Sequence, residues 1–262
     1  MKTNSTLPTA LRVVMLGSGN VATSLAPALA RHHRVVQVYS RNVDNARKLA
    51  TAVGCDNAIN DTSLLVRDAD VYIISVVDDA VRTLADEIPD NGALWLHTSG
   101  SVPMDVFAGH RRRYGVLYPL QSFSRQMPVA LDDVHIFVEG NNEAVTAEII
   151  ALAQTLTPHV TEATSHDRKR LHVAAVFACN FVNHMATLAT EVLDEGGLPT
   201  EAMLPLLRTT VAKLDRLTPQ QSQTGPAVRH DEHVIASHLA LLTGDKHDLY
   251  ERITRSIQSR IP

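Results

Sequence analysis

Residues 13–22 read Val13-Val-Met-Leu-Gly-Ser-Gly-Asn-Val-Ala22, an apolar run that ends in the pattern Gly-x-Gly-x-x-Ala. The run predicts a buried strand, and Gly17 permits the tight turn that leaves it. Gly19 has no side chain, so a pyrophosphate can approach the backbone, while Ala22 lets the following helix pack closely on the sheet. The free N–H groups that begin this helix attract phosphate. The stretch therefore predicts a dinucleotide-binding turn; the alternative is a glycine turn that arises by chance.

The expected cofactor contacts of this turn are Gly17, Ser18, Gly19, Asn20 and Val21.

The next strand-like segment, residues 34–40, indicates which nucleotide binds. NAD-specific sites place an Asp or Glu about 20 residues beyond the glycines, where it accepts hydrogen bonds from the ribose 2′-hydroxyl. No acid occupies residues 39–42 of this chain, and Ser40 and Arg41 stand there instead. A guanidinium suits a 2′-phosphate because it donates two parallel hydrogen bonds. We therefore expect NADP(H); the alternative is that Arg41 is a solvated residue that opens the next helix.

The first half of the chain alternates strand and helix patterns, which predicts an α/β fold with a doubly wound, Rossmann-like and mostly parallel sheet. Strands are expected at residues 12–17, 34–40, 70–76, 93–97, 114–118 and 134–138. Helices are expected between several of them, at residues 20–31, 43–53 and 79–87.

Beyond about residue 160 the strand patterns stop, which predicts an all-α C-terminal domain. Its helices are expected at residues 165–195, 199–216, 227–243 and 245–259. We therefore expect a flexible tail over residues 1–10, a dinucleotide-binding domain over 11–160 and a helical domain over 161–262.

Polar residues follow the strands at their carboxyl ends, where parallel sheets bind ligands. Ser75, Val76, Val77 and Thr98 are expected cofactor contacts. His97 is a candidate proton donor because histidine titrates in the useful range, and Ser99, Gln121 and Ser122 are candidate substrate contacts. The alternatives are a structural histidine at position 97 and a turn held by the hydroxyls of Thr98 and Ser99.

The long helix carries polar residues on one arc when it is drawn at 3.6 residues per turn. Asn180, Asn183 and His184 fall on that arc with His172, and the opposite arc is apolar and predicts packing on a core. We expect Asn180 and His184 to take part in catalysis and Asn183 to contact substrate in a cleft between the domains. The alternative is a polar face toward water or a partner subunit.

Arg229 lies in the polar segment of residues 223–231 and is a candidate for binding a substrate carboxylate. The alternative is a helix start in which Asp231 pairs with Arg229.

Composition excludes several function classes. The chain has 262 residues, 45% hydrophobic content and a formal net charge of −4, so nothing favours binding to nucleic acid. Two cysteines without a framework fit the reducing cytoplasm. No apolar run is expected to span a membrane, and the spacing of His230, His233 and His238 matches no standard metal site.

Five motifs together resemble one family, the two-domain NADP oxidoreductases with a Rossmann-like N-terminal domain and a C-terminal helical domain of unknown function. The motifs are Gly17-Ser-Gly-Asn-Val-Ala22, His97-Thr-Ser-Gly100, Tyr118-Pro-Leu-Gln-Ser-Phe-Ser124, Asn180-Phe-Val-Asn-His184 and Gln223-Thr-Gly-Pro-Ala-Val-Arg229. The family is related to pyrroline-5-carboxylate reductase, ketopantoate reductase and the 6-phosphogluconate and β-hydroxyacid dehydrogenases. The resemblance implies NADP(H) binding and a homodimer formed through the helical domain.

The resemblance also implies a difference in chemistry. The β-hydroxyacid dehydrogenases carry a catalytic Lys one turn before an Asn on the first long helix of the second domain, and Val176 stands at that position here. We expect an NADP(H)-dependent oxidoreductase that acts on a small polar carbonyl, hydroxy or imino acid. The alternative, favoured by the missing Lys, is a sensor or scaffold that binds NADP(H) without catalysis.

Overall fold

The opening apolar run forms β1, an inner strand of an eight-stranded sheet, in a computed structural model that describes residues 10–261. The strands are β1 Arg12–Leu16, β2 Arg34–Tyr39, β3 Ala58–Ile59, β4 Val71–Ile74, β5 Leu94–His97, β6 Arg113–Pro119, β7 Ile136–Gly140 and β8 Val160–Glu162. Their order is β3-β2-β1-β4-β5-β6-β7-β8, and every neighbouring pair is parallel except β6 with β7. The predicted mostly parallel sheet is confirmed.

The α-helices are α1 Asn20–Ala30, α2 Val43–Ala52, α3 Asp78–Glu87, α4 Glu143–Gln154, α5 Ser165–Ala175, α6 Val182–Glu195, α7 Met203–Ala212, α8 Pro219–Ser222, α9 Glu232–Leu241 and α10 Gly244–Gln258. Short 3₁₀ turns and a π-helical segment, Val176–Phe181, lie between some of them. The predicted tail falls outside the described residues except for Ala10.

Two apolar layers cover the sheet because consecutive side chains of a strand point to opposite faces. On one face, Val13 and Met15 of β1 belong to a core shared with α1, α2 and α4. On the other face, Val14 and Leu16 join Trp95 beneath α3 and the 3₁₀ turn Met104–Phe107. The strand order reverses between β1 and β4, so the carboxyl ends of these two strands border the crevice where such sheets bind ligands.

Sequence patterns missed β3, β8 and α4. The two strands have only two or three residues, too few to show a period. Helix α4 begins after Asn142, whose side chain accepts a hydrogen bond from the N–H of Val145, and it buries Val145 and Ile149. The final predicted strand exists as β7, but it runs antiparallel to β6.

The chain divides into two compact units, Met1–Cys179 and Asn180–Pro262. The division falls inside the π-helical segment, whereas the sequence placed a domain boundary near residue 160. Ser165 and Arg168 of α5 explain the difference, because both bind Glu139 of β7 and so tie the start of α5 to the sheet.

The second unit buries little on its own. Within residues 180–261, only Ala227, Ile235 and Thr254 are buried. Helix α6 has no buried residue, so the expected packing of its apolar arc on a core is not found within one chain. The exposed large apolar residues of the second unit include Val182, Val192, Leu198, Leu204, Leu206, Val211, Leu214, Leu217, Leu241 and Ile253.

The long helix departs from regular geometry at Val176–Phe181. A π-helical turn holds more residues than an α-helical turn, so angles drawn at 3.6 residues per turn do not carry across it. The predicted common arc of His172 with Asn183 and His184 therefore does not follow from the sequence spacing.

One helix has the length and composition of a membrane span. It runs from Ser165 to Glu195, has a mean hydropathy of 1.3 in its most apolar window, and buries none of that window. The expectation that no segment is long and apolar enough is corrected by this helix.

Gly115 tests the close approach of β6 to β7. A methyl group there would overlap the carbonyl oxygen of Glu139 and the side chain of Ile149. We expect Gly115→Ala to lower the free energy of unfolding by about 2 kcal/mol or more in urea titrations followed by circular dichroism. In the control Gly196→Ala, the new methyl group meets nothing closer than 3.5 Å. Equal losses in the two variants would contradict this packing.

Candidate functional site

The turn after β1 depends on Gly17. Its φ of 123° is in the range that favours glycine. A Cβ at this position would also overlap the carbonyl oxygen of Ser75, at the end of β4. The N–H of Gly17 donates to the carbonyl of Tyr39 at 2.8 Å, which ties the turn to the end of β2. Gly17 thus lets the carboxyl ends of β1, β2 and β4 meet closely.

Gly19 and the start of α1 form an open cradle. A Cβ at Gly19 would meet only the carbonyl oxygen of Ser75, at 3.9 Å. Gly19 is the N-cap of α1, so no side chain caps the helix, and the first turn holds no acidic residue. Its free N–H groups suit a phosphate group. Ala22 is fully buried, as the predicted contact of α1 with the sheet requires.

Ser40 and Arg41 follow β2 beside this cradle. The hydroxyl of Ser18 donates to Ser40 Oγ at 2.8 Å, which leaves the proton of the Ser40 hydroxyl available to a ligand. Arg41 is exposed and forms no ion pair with any carboxylate of residues 10–261. Arg47, by contrast, pairs with Asp44 at 3.0 Å on the surface of α2. Arg41 is therefore a cation that remains available to a phosphate group.

The ends of β4 and β5 are joined by hydroxyl groups. Thr98 Oγ1 donates to Ser75 Oγ at 3.2 Å, and both residues are buried. Val76 is half-buried and Val77 is exposed, and Val77 precedes α3. The predicted cofactor residues of the two strand ends thus lie at the same edge of the sheet as the glycine turn.

His97 is fully buried at the end of β5. Its Nδ1 accepts a hydrogen bond from the N–H of Ser99 at 3.2 Å, and its Nε2 has no hydrogen-bond partner within the described part of the chain. Burial, aided by the positive charge of Arg168, lowers the pKa of His97 to about 3, although the backbone of Pro103 and the negative charge of Asp78 act in the opposite direction. A histidine that is neutral and enclosed at neutral pH favours the structural alternative over the role of proton donor.

Ser99 shapes the loop that follows His97. Its Oγ accepts hydrogen bonds from the N–H groups of Ser101 at 3.1 Å and Val102 at 3.0 Å. The hydroxyl of Ser101 donates in turn to the carboxylate of Asp78 on α3. This is the pattern of the turn alternative, so the Ser99 oxygen is largely occupied by the backbone.

A buried ion pair fixes the other end of this loop. Arg168 of α5 is fully buried, pairs with Glu139 of β7 and donates to the carbonyl of Val102 at 2.9 Å. Ser165 also belongs to this network. Its N–H and hydroxyl donate to Glu139, and its Oγ accepts from the N–H of Met104, in the loop that follows β5. Sequence patterns did not single out this network, since a charged residue early in a helix is usually exposed.

The remaining predicted residues are exposed. Gln121 and Ser122 follow β6, and Gln121 Oε1 accepts from the N–H of Ser122 at 2.7 Å. Asn180, Asn183 and His184 are exposed residues of the second unit, as is Arg229. Asp231 caps α9 by accepting from the N–H of Val234, and it forms no ion pair with Arg229 in the described structure.

The residues present fit a dinucleotide with a 2′-phosphate. Gly17 and Gly19 leave room for a pyrophosphate, the uncapped start of α1 offers N–H donors, and Arg41 and Ser40 offer donors beyond β2. Among the described residues, no cluster of three or more His, Cys, Asp or Glu side chains could hold a metal ion.

Two family matches divide the chain. Residues 12–95 match the family described as NADP oxidoreductase coenzyme F420-dependent. Residues 134–257 match a domain of unknown function, DUF2520. A search of curated proteins found no match.

Solved structures extend the similarity over nearly the whole chain. The "putative NADP oxidoreductase" BF3122 from Bacteroides fragilis is 42% identical, with a TM-score of 0.88, and the match covers 96% of this chain and 99% of that one. A reductive aminase from Aspergillus terreus in complex with NADPH and ethyl-5-oxohexanoate is 17% identical, with a TM-score of 0.67 and 97% of each chain covered. An imine reductase from Myxococcus stipitatus in complex with NADP+ is 16% identical, with a TM-score of 0.63 and 95% and 92% covered. The last two similarities concern the fold.

The buried His97 predicts a specific loss of stability in acid. The unfolded chain binds a proton near pH 6.5 and the folded chain only near pH 3, so unfolding takes up a proton as the pH falls through this window. We expect His97→Asn, whose Oδ1 can accept from Ser99, to reduce the slope of the free energy of unfolding by about 1.4 kcal/mol per pH unit between pH 6 and 4.

The measurement is urea unfolding followed by the fluorescence of Trp95, the single tryptophan of the chain, which is buried on β5. The exposed His233, changed to Asn, is the control. Parallel pH profiles for wild type and His97→Asn would show that His97 titrates normally in the folded protein.

Proposed function

Because the chain belongs to the family of NADP oxidoreductases that combine a Rossmann-like domain with the helical domain of unknown function, and its cofactor is NADP(H), we propose that it is an oxidoreductase of a small polar carbonyl, hydroxy or imino acid. Bound NADPH would supply a hydride to the C=O or C=N carbon of such a substrate.

One observation carries the cofactor assignment: the glycine turn, the uncapped start of α1 and the unpaired Arg41 meet at one edge of the sheet. In the proposal, Gly17–Val21 hold the pyrophosphate, and Ser40 and Arg41 hold the 2′-phosphate. Ser75, Val76, Val77 and Thr98 line the neighbouring strand ends, where the nicotinamide half would lie.

The substrate class rests on polarity and on similarity. Gln121 and Ser122 offer exposed polar groups beyond β6, and the similar folds include an imine reductase and a reductive aminase. Participation of Asn180, Asn183, His184 and Arg229 stays a prediction, as does their meeting the cofactor in a cleft. In this proposal His97 positions Ser99 rather than giving a proton to substrate.

A sensor that binds NADP(H) without catalysis is the second candidate. Val176 in place of the Lys of the β-hydroxyacid dehydrogenases and the enclosed, neutral His97 favour it. Oxidation of NADPH by keto acids, with or without an added amine, separates the two candidates.

We also propose a homodimer formed through the second unit. Its helices bury few residues and expose many large apolar side chains, an arrangement that is unfavourable in water. A second copy of the same chain would cover these faces, as implied by the family resemblance. A dimer contact also explains why the helix Ser165–Glu195 is apolar and unburied, because a partner chain would cover it. The polar residues Asn180, Asn183 and His184, which lie within this helix, suit contact with a protein better than contact with lipid.

The proposal places the protein in the cytoplasm, where it acts on a small molecule and binds neither nucleic acid nor membrane. The two free cysteines, the net charge of −4 and the family fold support this placement.

Arg41→Asp tests the cofactor assignment. Loss of the guanidinium and repulsion by the new carboxylate should weaken NADPH binding by about 100-fold and leave NADH binding nearly unchanged in calorimetric titrations. Arg47→Asp is the matched control, because Arg47 already pairs with Asp44. Equal losses for both nucleotides in Arg41→Asp would remove Arg41 from the 2′-phosphate site.

Leu206→Arg tests the dimer. Leu206 is 59% exposed on α7, and a charge buried between two copies should dissociate them. We expect wild type to have twice the mass of the chain by light scattering at micromolar concentration, and the variant to approach a single chain. Leu64→Arg, at a position 61% exposed in the first unit, should stay dimeric. A wild type that is monomeric, or one that stays with the membrane fraction until detergent is added, would overturn the proposal.

A further inference from the structure

Tyr118 stands at the carboxyl end of β6, next to the loop that follows β5. His97 pairs with Val116 across the two parallel strands, so Tyr118 extends to the level of Ser99. A Cβ at Gly100 would lie 2.7 Å from the Tyr118 ring, which shows that the ring rests directly on the backbone of Gly100. Tyr118 is 8% exposed, so its phenol is held at the edge of the sheet where the nicotinamide half of the cofactor is proposed to lie.

His172 is the partner of this phenol. Its Nδ1 lies 3.3 Å from Tyr118 Oη, and the two rings meet edge to face at 64°, with centroids 6.5 Å apart. Tyr118 is buried, whereas His172 is exposed on α5. The hydrogen bond therefore connects a buried tyrosine to a histidine that solvent can reach.

Arg168 fixes the position of His172. The two residues are four apart on α5 and so lie on the same side of the helix. The buried Arg168 is held by Glu139, by the carbonyl of Val102 and by Ser165 Oγ. The first turn of α5 is thereby fastened to the sheet and to the loop after β5, and this fixes the approach of His172 to Tyr118.

We propose that Tyr118 is the proton donor of the reaction and that His172 relays the proton from solvent. The inference rests on the proposed oxidoreductase function. When hydride adds to the carbon of a C=O or C=N bond, the electron pair of that bond moves to oxygen or nitrogen, which takes the proton of the Tyr118 hydroxyl. The Tyr118 phenolate then takes the Nδ1 proton of protonated His172, and the imidazole recovers a proton from water.

The charged groups around the pair fit this role. Burial raises the pKa of Tyr118 and the positive charge of Arg168 lowers it, which keeps the phenol protonated yet stabilises the transient phenolate. Glu139 is paired with Arg168, and His97 is neutral. The relay also assigns a donor in a chain that has Val176 in place of the Lys of its relatives.

The first test needs neither cofactor nor substrate. In protein labelled at the tyrosine Cζ, the Tyr118 carbon resonance should shift as His172 titrates, because protonated His172 donates to the phenol oxygen while neutral His172 accepts from it. The shift should vanish in His172→Phe, and Tyr114, on the same strand, is the control resonance. A Tyr118 resonance that ignores histidine titration, or a step that persists in His172→Phe, overturns the relay.

The second test follows NADPH oxidation with pyruvate and methylamine, a simple keto acid and its imine. Tyr118→Phe should lower kcat about 100-fold or more, with the affinity for NADPH unchanged. His172→Phe should lower kcat less and remove one limb of its pH profile. Tyr114→Phe should behave as wild type. Full activity in Tyr118→Phe overturns the proposal, whereas failure of wild type to bind NADPH would refute the proposed function and leave the resonance test to decide the relay.

Discussion

The site depends on one steric constraint, the absence of a side chain at Gly17. The turn after β1 has a positive φ and passes so close to the carbonyl of Ser75 that no Cβ fits. This contact brings the ends of β1, β2 and β4 together and starts α1 with its N–H groups uncapped. The cradle for a phosphate is thus a consequence of how the backbone turns, and the surrounding side chains only add selectivity.

A second constraint joins the start of α5 to the sheet. Arg168 and Glu139 form an ion pair that is largely enclosed, both bind Ser165, and Arg168 also donates to the carbonyl of Val102. An unpaired charge in this place would be costly, so the network holds only when all its members are present. It orders the loop after His97, and it sets the position of His172 beside Tyr118. The neutral state of His97 is a further result, because burial and the Arg168 charge act in the same direction.

Sequence patterns predicted the glycine turn and the buried strands, but they did not predict the side-chain network around His97. The glycine turn, Ala22 and the absence of an acid after β2 have fixed spacings, and apolar runs mark the buried strands β1 and β4. The burial of His97 and the pairing of Tyr118 with His172, 54 residues apart, depend on tertiary packing that no spacing encodes. The π-helical segment changed the phase of the long helix, and the apolar arc of α6 turned out to be uncovered within one chain. Patterns identified that arc as apolar, but they do not say which chain covers it.

The central claim is that the edge of this sheet binds a dinucleotide with a 2′-phosphate. Calorimetric titration of the wild-type protein with NADPH and then with NADH tests it most directly. The account predicts tight binding of NADPH and much weaker binding of NADH, because only NADPH has a 2′-phosphate that Ser40 and Arg41 can bind. Equal affinity for the two would contradict the role of these residues, and binding of neither would contradict the dinucleotide site itself.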